Sequence, residues 1–155
     1  MHSSEYFFDI VAKCANRSNC VRKKVGSILV RNGTVISRGW NGVANHPNCR
    51  RAGCLWCATE GPLGMGYDRC ICTHAEQTAI GRAARKGIST AGALIYTNLR
   101  PCMNCVKLSL ASGIRGVMFS ENWVYEDELE DCYELLTRRF GRFSQVDMRD
   151  SRVSR

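Results

Sequence analysis

From residue 74 onward the chain alternates helical apolar patterns with short β-rich runs, and few folds accommodate that order. HAEQTAIGRAARKG (74–87) reads as a helix closed by Gly87, and CMNCVKLSLASG (102–113) as a helix that opens after Pro101 and ends at Gly113. EDELEDCYELLTRRF (126–140) is a further helix, with acids first and arginines last to match its dipole. ALIYTN (93–98), RGVMFS (115–120) and RFSQVDM (142–148) read as strands between and after them. Upstream, SEYFFDIVAKCANR (4–17) reads as a helix that Ser3 or Ser4 can cap, with Phe8, Val11 and Ala15 on one face. VGSILV (25–30) and TVISRGW (34–40) flank Arg31-Asn32-Gly33, and an Asn-Gly turn between such runs signals a hairpin. Helix, hairpin, then alternating helix and strand predict an α/β fold: one mixed sheet with helices on both faces.

The 155 residues, 45% of them apolar, suit one domain with a single core and leave no sign of repeats or a second domain. The domain is expected over 1–148, with 149–155 a basic, frayed tail. No apolar run reaches the ~18 residues of a membrane span. Met1 to Tyr6 lack the pattern of a secretory signal, so a cytoplasmic protein is expected. The net charge of +8 fits either plain solubility or attraction of anions such as phosphorylated substrates and nucleic acid.

Ten cysteines are the anomaly. With an adequate core and no export signal, metal or catalytic roles suit them better than disulfides. Cys14 and Cys132 fall in helical patterns and are expected buried as small apolar residues. Five others lie between Asn41 and Thr73, a long segment without clear periodicity. A structureless loop of that length in a compact domain needs a reason. His46, beside Pro47, reads as exposed, and Lys23 and Lys24 read as a solvated basic turn before they read as phosphate contacts.

Chemistry concentrates at His74-Ala75-Glu76 and Pro101-Cys102-Met103-Asn104-Cys105, each at the start of an expected helix. Cys102 and Cys105 are three apart, so on a first helical turn their sulfurs point the same way. A helix N-terminus favours the thiolate, the form that zinc binds. With His74 as third ligand, a fourth position stays open for water, whose pKa zinc lowers to roughly 7. Glu76 lies near enough to move that water's proton without coordinating the metal. A lone Cys-x-x-Cys also fits a redox pair or half of a structural zinc knot, and a lone His-x-Glu carries nothing. Together they match H-x-E…P-C-x-x-C, the signature of the zinc deaminases.

With these residues in place the sequence resembles the deoxycytidylate (dCMP) deaminases of the cytidine deaminase superfamily, from about Tyr6 to Leu136. KVGSILV (24–30), GWNG (39–42), THAEQTAI (73–80) and PCMNCVKLSLASGI (101–114) carry the likeness. Arg100 stands where tRNA adenosine deaminases have Glu, and Met103 where small cytidine deaminases have Gly. The Trp-Ser of polynucleotide cytidine deaminases is absent. Lys107 and Ala111-Ser112-Gly113-Ile114 fit the dCMP pattern, with Ser112 as an insertion-like difference.

The resemblance implies a three-layer α/β/α fold with a central mixed five-stranded sheet, and hydrolysis of dCMP to dUMP and ammonia in pyrimidine deoxynucleotide metabolism. It implies that Asn41 bonds the deoxyribose, and that Trp123 or Tyr125, with Tyr125 preferred, lies near the phosphate. It also implies a homo-oligomer, often a hexamer, and a second, structural zinc held by Cys20, Cys49, Cys54 and Cys70. Cys57 and Cys72 are alternates to those four, or ligands of a third metal, within a zinc-binding insertion at about 43–72. Gly39-Trp40-Asn41-Gly42-Val43-Ala44-Asn45-His46 lacks the later Pro and Gly of the regulated members' effector loop, so control by dCTP and dTTP is not carried over. The rival readings are a deaminase of another cytosine substrate (nucleoside, modified nucleotide or polynucleotide) and a non-enzymatic zinc module binding nucleic acid. A binding module has no need of Glu76.

Overall fold

The structure, a computed structural model, describes residues 3–58 and 69–148. The tail expected at 149–155 lies outside them. Ten elements follow in order: α1 (Ser4–Ala15), β1 (Gly26–Arg31), β2 (Thr34–Trp40), a 3-10 helix (Trp56–Ala58), α2 (Ala75–Arg85), β3 (Leu94–Leu99), α3 (Met103–Ala111), β4 (Gly116–Glu121), α4 (Glu128–Thr137) and β5 (Arg142–Gln145). Five strands form one mixed sheet in the order β2-β1-β3-β4-β5. β1 is antiparallel to β2 and β3, whereas β3, β4 and β5 run parallel.

The period-2 pattern of the strands sorts the core into two layers. Ile28, Val30, Tyr96 and Met118 meet Phe7, Phe8, Val11 and Cys14 of α1 on one face. Leu29, Ile95, Val117 and Phe119 point the other way, toward Ala79 and Ala83 of α2, Val106 of α3 and Tyr133 of α4. This is the three-layer α/β/α arrangement with a mixed five-stranded sheet.

Local signals act as expected. Ser3 caps α1 by accepting from the Tyr6 N–H. Arg31 pairs with Thr34 across Asn32-Gly33, both at positive φ (51° and 75°), the tight hairpin that Asn-Gly favours. α2 and α3 end in the same bond pattern: Ile88 N–H donates to Ala83 O, and Ile114 N–H to Ser109 O. Cys132, expected to be buried, is exposed. α4 buries Tyr133 and Thr137, one turn apart, and Cys132 falls beside that stripe.

Two contacts place the site. A Cβ at Gly39 would lie 2.1 Å from Ala75 O, so only glycine lets β2 approach the first turn of α2 so closely. The long segment after β2 returns to its origin: Gly42 and Thr73 form an antiparallel bridge, with N···O distances of 3.1 and 3.0 Å. Among the described residues no helix is long and apolar enough to cross a membrane.

Candidate active site

The turn from β3 into α3 is the keystone of the site, and aromatic residues beyond β4 hold it. Trp123 Nε1 donates to Arg100 O at 2.7 Å, Tyr133 donates its hydroxyl to Pro101 O at 2.6 Å, and the Tyr125 hydroxyl accepts from Met103 N–H at 2.7 Å. Each satisfies a backbone group that the strand-to-helix turn leaves unpaired. The buried Arg100 guanidinium forks onto Glu130, with contacts of 2.5 and 3.2 Å, and donates to the Trp123 carbonyl. It also lies 4.2 Å from the Tyr133 ring centre.

Cys102 is thereby fixed as the N-cap of α3, with Cys105 in its first turn. His74 is the N-cap of α2, and its N–H donates to the Gln77 side chain at 2.8 Å. The His74 Nδ1 lies 3.4 Å from both the Cys102 and Cys105 sulfurs. Zn–N and Zn–S bonds of about 2.1 and 2.3 Å in a tetrahedron separate their donors by about 3.6 Å, so the three residues fit one zinc ion. The set joins two sequence segments, with His74 and Cys102 28 residues apart.

The three groups share protons as a unit. Burial alone would lower the His74 pKa, but Cys102 outweighs it and raises the imidazole to about 9. A hydrogen bond from Cys105 lowers Cys102 to about 4, and Cys105 is raised well above the usual thiol range in return. Glu76, 3% exposed, follows His74 by two residues in the first turn of α2. Burial is the main cause that pushes its carboxyl above the usual carboxylate range, against the pull of His74.

His74, Glu76 and Cys102 line an open cleft whose inner wall is largely apolar. Asn41 lines it, tied down on most sides. Its Oδ1 accepts from Ser18 Oγ at 2.6 Å and Val25 N–H at 2.8 Å, and its amide donates to Lys23 O at 2.8 Å. The side chain has a second amide hydrogen to offer. Of the two aromatics weighed for substrate contact, Trp123 lines the cleft. Tyr125 is buried behind it, edge-on at a ring separation of 4.7 Å, and its hydroxyl is engaged with α3. Lys23 lines the cleft and pairs with Glu121, while Lys24 is exposed. Arg22 and Trp56, which sequence patterns did not single out, complete that wall, the guanidinium 5.6 Å from the Trp56 ring centre.

The remaining cysteines of the segment converge beside the cleft. Cys20, Cys49, Cys57 and Cys72 form one group of four thiols and Cys54, Cys57, Cys70 and Cys72 another. The set read from the resemblance, Cys20, Cys49, Cys54 and Cys70, is divided between the two, and both contain Cys57 and Cys72. The Cys54-x-x-Cys57 spacing was the available signal for Cys57.

Fold and site define an α/β domain with a His-Cys-Cys group suited to zinc and a buried carboxyl two residues from the histidine. Residues 1–121 match the family described as the cytidine and deoxycytidylate deaminase zinc-binding region, and the chain belongs to that family. It is 34% identical to the deoxycytidylate deaminase of Schizosaccharomyces pombe over 76% of its own length, but spans only 37% of that relative. It is 35% identical to the deoxycytidylate deaminase of Mycobacterium phage D29, covering 74% of this chain and 91% of the phage protein. The crystal structure of dCMP deaminase from the cyanophage S-TIM5 in apo form matches 92% of this chain and 95% of that one, with a TM-score of 0.66 and 26% identity.

Proposed function

We propose that the chain hydrolyses dCMP to dUMP and ammonia, a step in the supply of pyrimidine deoxynucleotides. The observation that carries this reading is Glu76, a buried carboxyl beside a His-Cys-Cys ligand set, lining one cleft with His74, Cys102 and Asn41. His74, Cys102 and Cys105 would hold a zinc ion, which would supply a Lewis acid able to lower the pKa of a bound water to about 7. Glu76 takes a proton from the attacking water and delivers it to the ring nitrogen. It then carries the second proton to the departing amine. Its raised pKa suits a group that must both accept and give. The balance is simple: a C–O bond forms at C4, the C4–N bond breaks, and nothing is oxidised or reduced.

Asn41 meets the deoxyribose through its second amide hydrogen, since its oxygen is already taken twice. Trp123 lies against the nucleotide in the place first given to Tyr125, which supports α3 from behind. The domain is a single one, with a structural zinc site of cysteine thiolates in the insertion. All ten cysteines are free, which suits the reducing cytoplasm. Exposed Val124, Leu129 and Leu135 around α4 favour a homo-oligomer, a hexamer by resemblance, which light scattering would measure. The deciding assay compares ammonia release from dCMP, CMP, deoxycytidine and a single-stranded oligonucleotide. Highest kcat/KM on dCMP is expected, and preference for any other overturns the substrate assignment.

A further inference from the structure

Six thiols beside the cleft exceed what one zinc can take. A single tetrahedral zinc uses four, and two separate four-thiolate sites need eight. The six do not divide into a set of four and an unconnected pair. Cys57 Sγ lies 3.8 Å from Cys20, 3.6 Å from Cys70 and 3.9 Å from Cys72, and Cys54 lies 3.8 Å from Cys70. Bonds of about 2.3 Å in a tetrahedron separate sulfurs by about 3.8 Å, so each of these pairs has the length of a tetrahedron's edge. A disulfide would bring the sulfurs to about 2.05 Å, and none of the six cysteines is bridged.

We propose that this cluster binds two zinc ions in place of one, with Cys57 and Cys72 each bridging both. Cys20 and Cys49 complete the first ion's tetrahedron, and Cys54 and Cys70 the second's. The tetrahedra share the Cys57–Cys72 edge, which is why these two alone belong to both groups. The ligand set is thiolate only, and the cysteines are buried except for Cys70, which is half-buried. Soft sulfur in tetrahedral array selects zinc over the hard divalent cations. Val21 N–H donates to Cys49 Sγ at 3.3 Å, the kind of backbone contact that stabilises a metal-bound thiolate.

Charge favours sharing. Binding two Zn²⁺ releases six thiol protons and leaves a cluster of charge −2, whereas two independent four-thiolate sites would carry −4 in the same space. An arginine sits within two residues of three of the ligands: Arg22 after Cys20, Arg50 after Cys49 and Arg69 before Cys70. The cluster joins the α1–β1 connection to both halves of the long segment. Cys72 also lies two residues before His74, so the cluster forms the wall from which the catalytic ligand emerges.

The test reads the metals directly. The native chain should hold three metal ions by plasma mass spectrometry, one for each ligand group. On the chain produced in ¹¹³Cd medium, cadmium NMR should show two thiolate-only resonances, both correlated with the β-protons of Cys57 and of Cys72, and a third from the His74 site. Cys57→Ser and Cys72→Ser should each lose both loop ions and keep the catalytic one, while Cys132→Ser keeps all three. A total of two ions with a single thiolate-only resonance overturns the proposal. So do two such resonances with no cysteine in common, or iron in the preparation. The NMR arm needs no substitution and remains decisive if the serine variants fail to fold.

Discussion

Glu76 shows how much a single position can determine. It lies two residues past a metal ligand, outside the ligand group, and buried. Glu76→Gln keeps the shape and removes the proton carrier, so zinc content and melting temperature should hold while kcat falls by about 10²–10⁴ or more. Retained turnover in that variant would contradict the mechanism. Tyr133 makes the complementary case, since its hydroxyl bonds the Pro101 carbonyl in a fully buried position. Tyr133→Phe preserves packing but strands that carbonyl, and denaturant unfolding should show a loss of about 1–3 kcal/mol. His74, Glu76, Cys102 and Cys105 were legible in the sequence because motif spacing on helix starts dictates their convergence. Which of Trp123 and Tyr125 lines the cleft was not, because it depends on how the segment after β4 folds back over α3. Cys132 was misplaced because a helical pattern shows that a stripe exists, and packing decides which residues it includes.

At the scale of elements, α2 and α3 must start side by side for the ligands to meet. Gly39 permits this on one side, and the Arg100–Glu130 pair secures it on the other by tying α4 to the turn that enters α3. Burial would raise the Glu130 pKa, but the Arg100 guanidinium and the Tyr125 N–H outweigh it and hold it below the usual carboxylate range. A depressed folded pKa means that the stabilisation is fully present above the unfolded value, about 4.3, and is lost as pH falls through the folded one. Glu130→Gln should therefore cost about 1–3 kcal/mol at pH 7 and almost nothing near pH 2, when unfolding of both proteins is compared across pH. The helices and strands were readable from the sequence because their periods are strong and Asn32-Gly33, Gly87, Pro101 and Gly113 punctuate them. Their ends shifted by at most three residues, as at β5, which stops at Gln145. Residues 41–73 had no period to read, since sulfur geometry rather than apolar repetition organises their described part.

For the molecule as a whole, two kinds of interior coexist. The sheet and its helices enclose an apolar core on both faces, while the cysteine segment packs around Cys20, Cys49, Cys54, Cys57 and Cys72 with few large apolar side chains. With the proposed zinc sites filled, such a region would take its stability from metal binding. Stripping the metals with a chelator should lower the melting temperature and abolish activity while the far-UV signal of the sheet and helices persists. Adding zinc back should restore both. Collapse of the entire far-UV signal would mean that the sheet also depends on the metals.

The bridge between Gly42 and Thr73 bears on how such a chain tolerates changes in length. Because those two residues already hold each other, lengthening the excursion between them adds only a closure cost that grows logarithmically, about 0.6 kcal/mol per doubling. Asn41 and His74 flank the bridge, and their own hydrogen bonds run to Ser18, Val25, Lys23 and Gln77, all outside the excursion. Added length within it is thus cheap, whereas replacing it outright would take Trp56, Cys57, Cys70 and Cys72 out of the cleft wall.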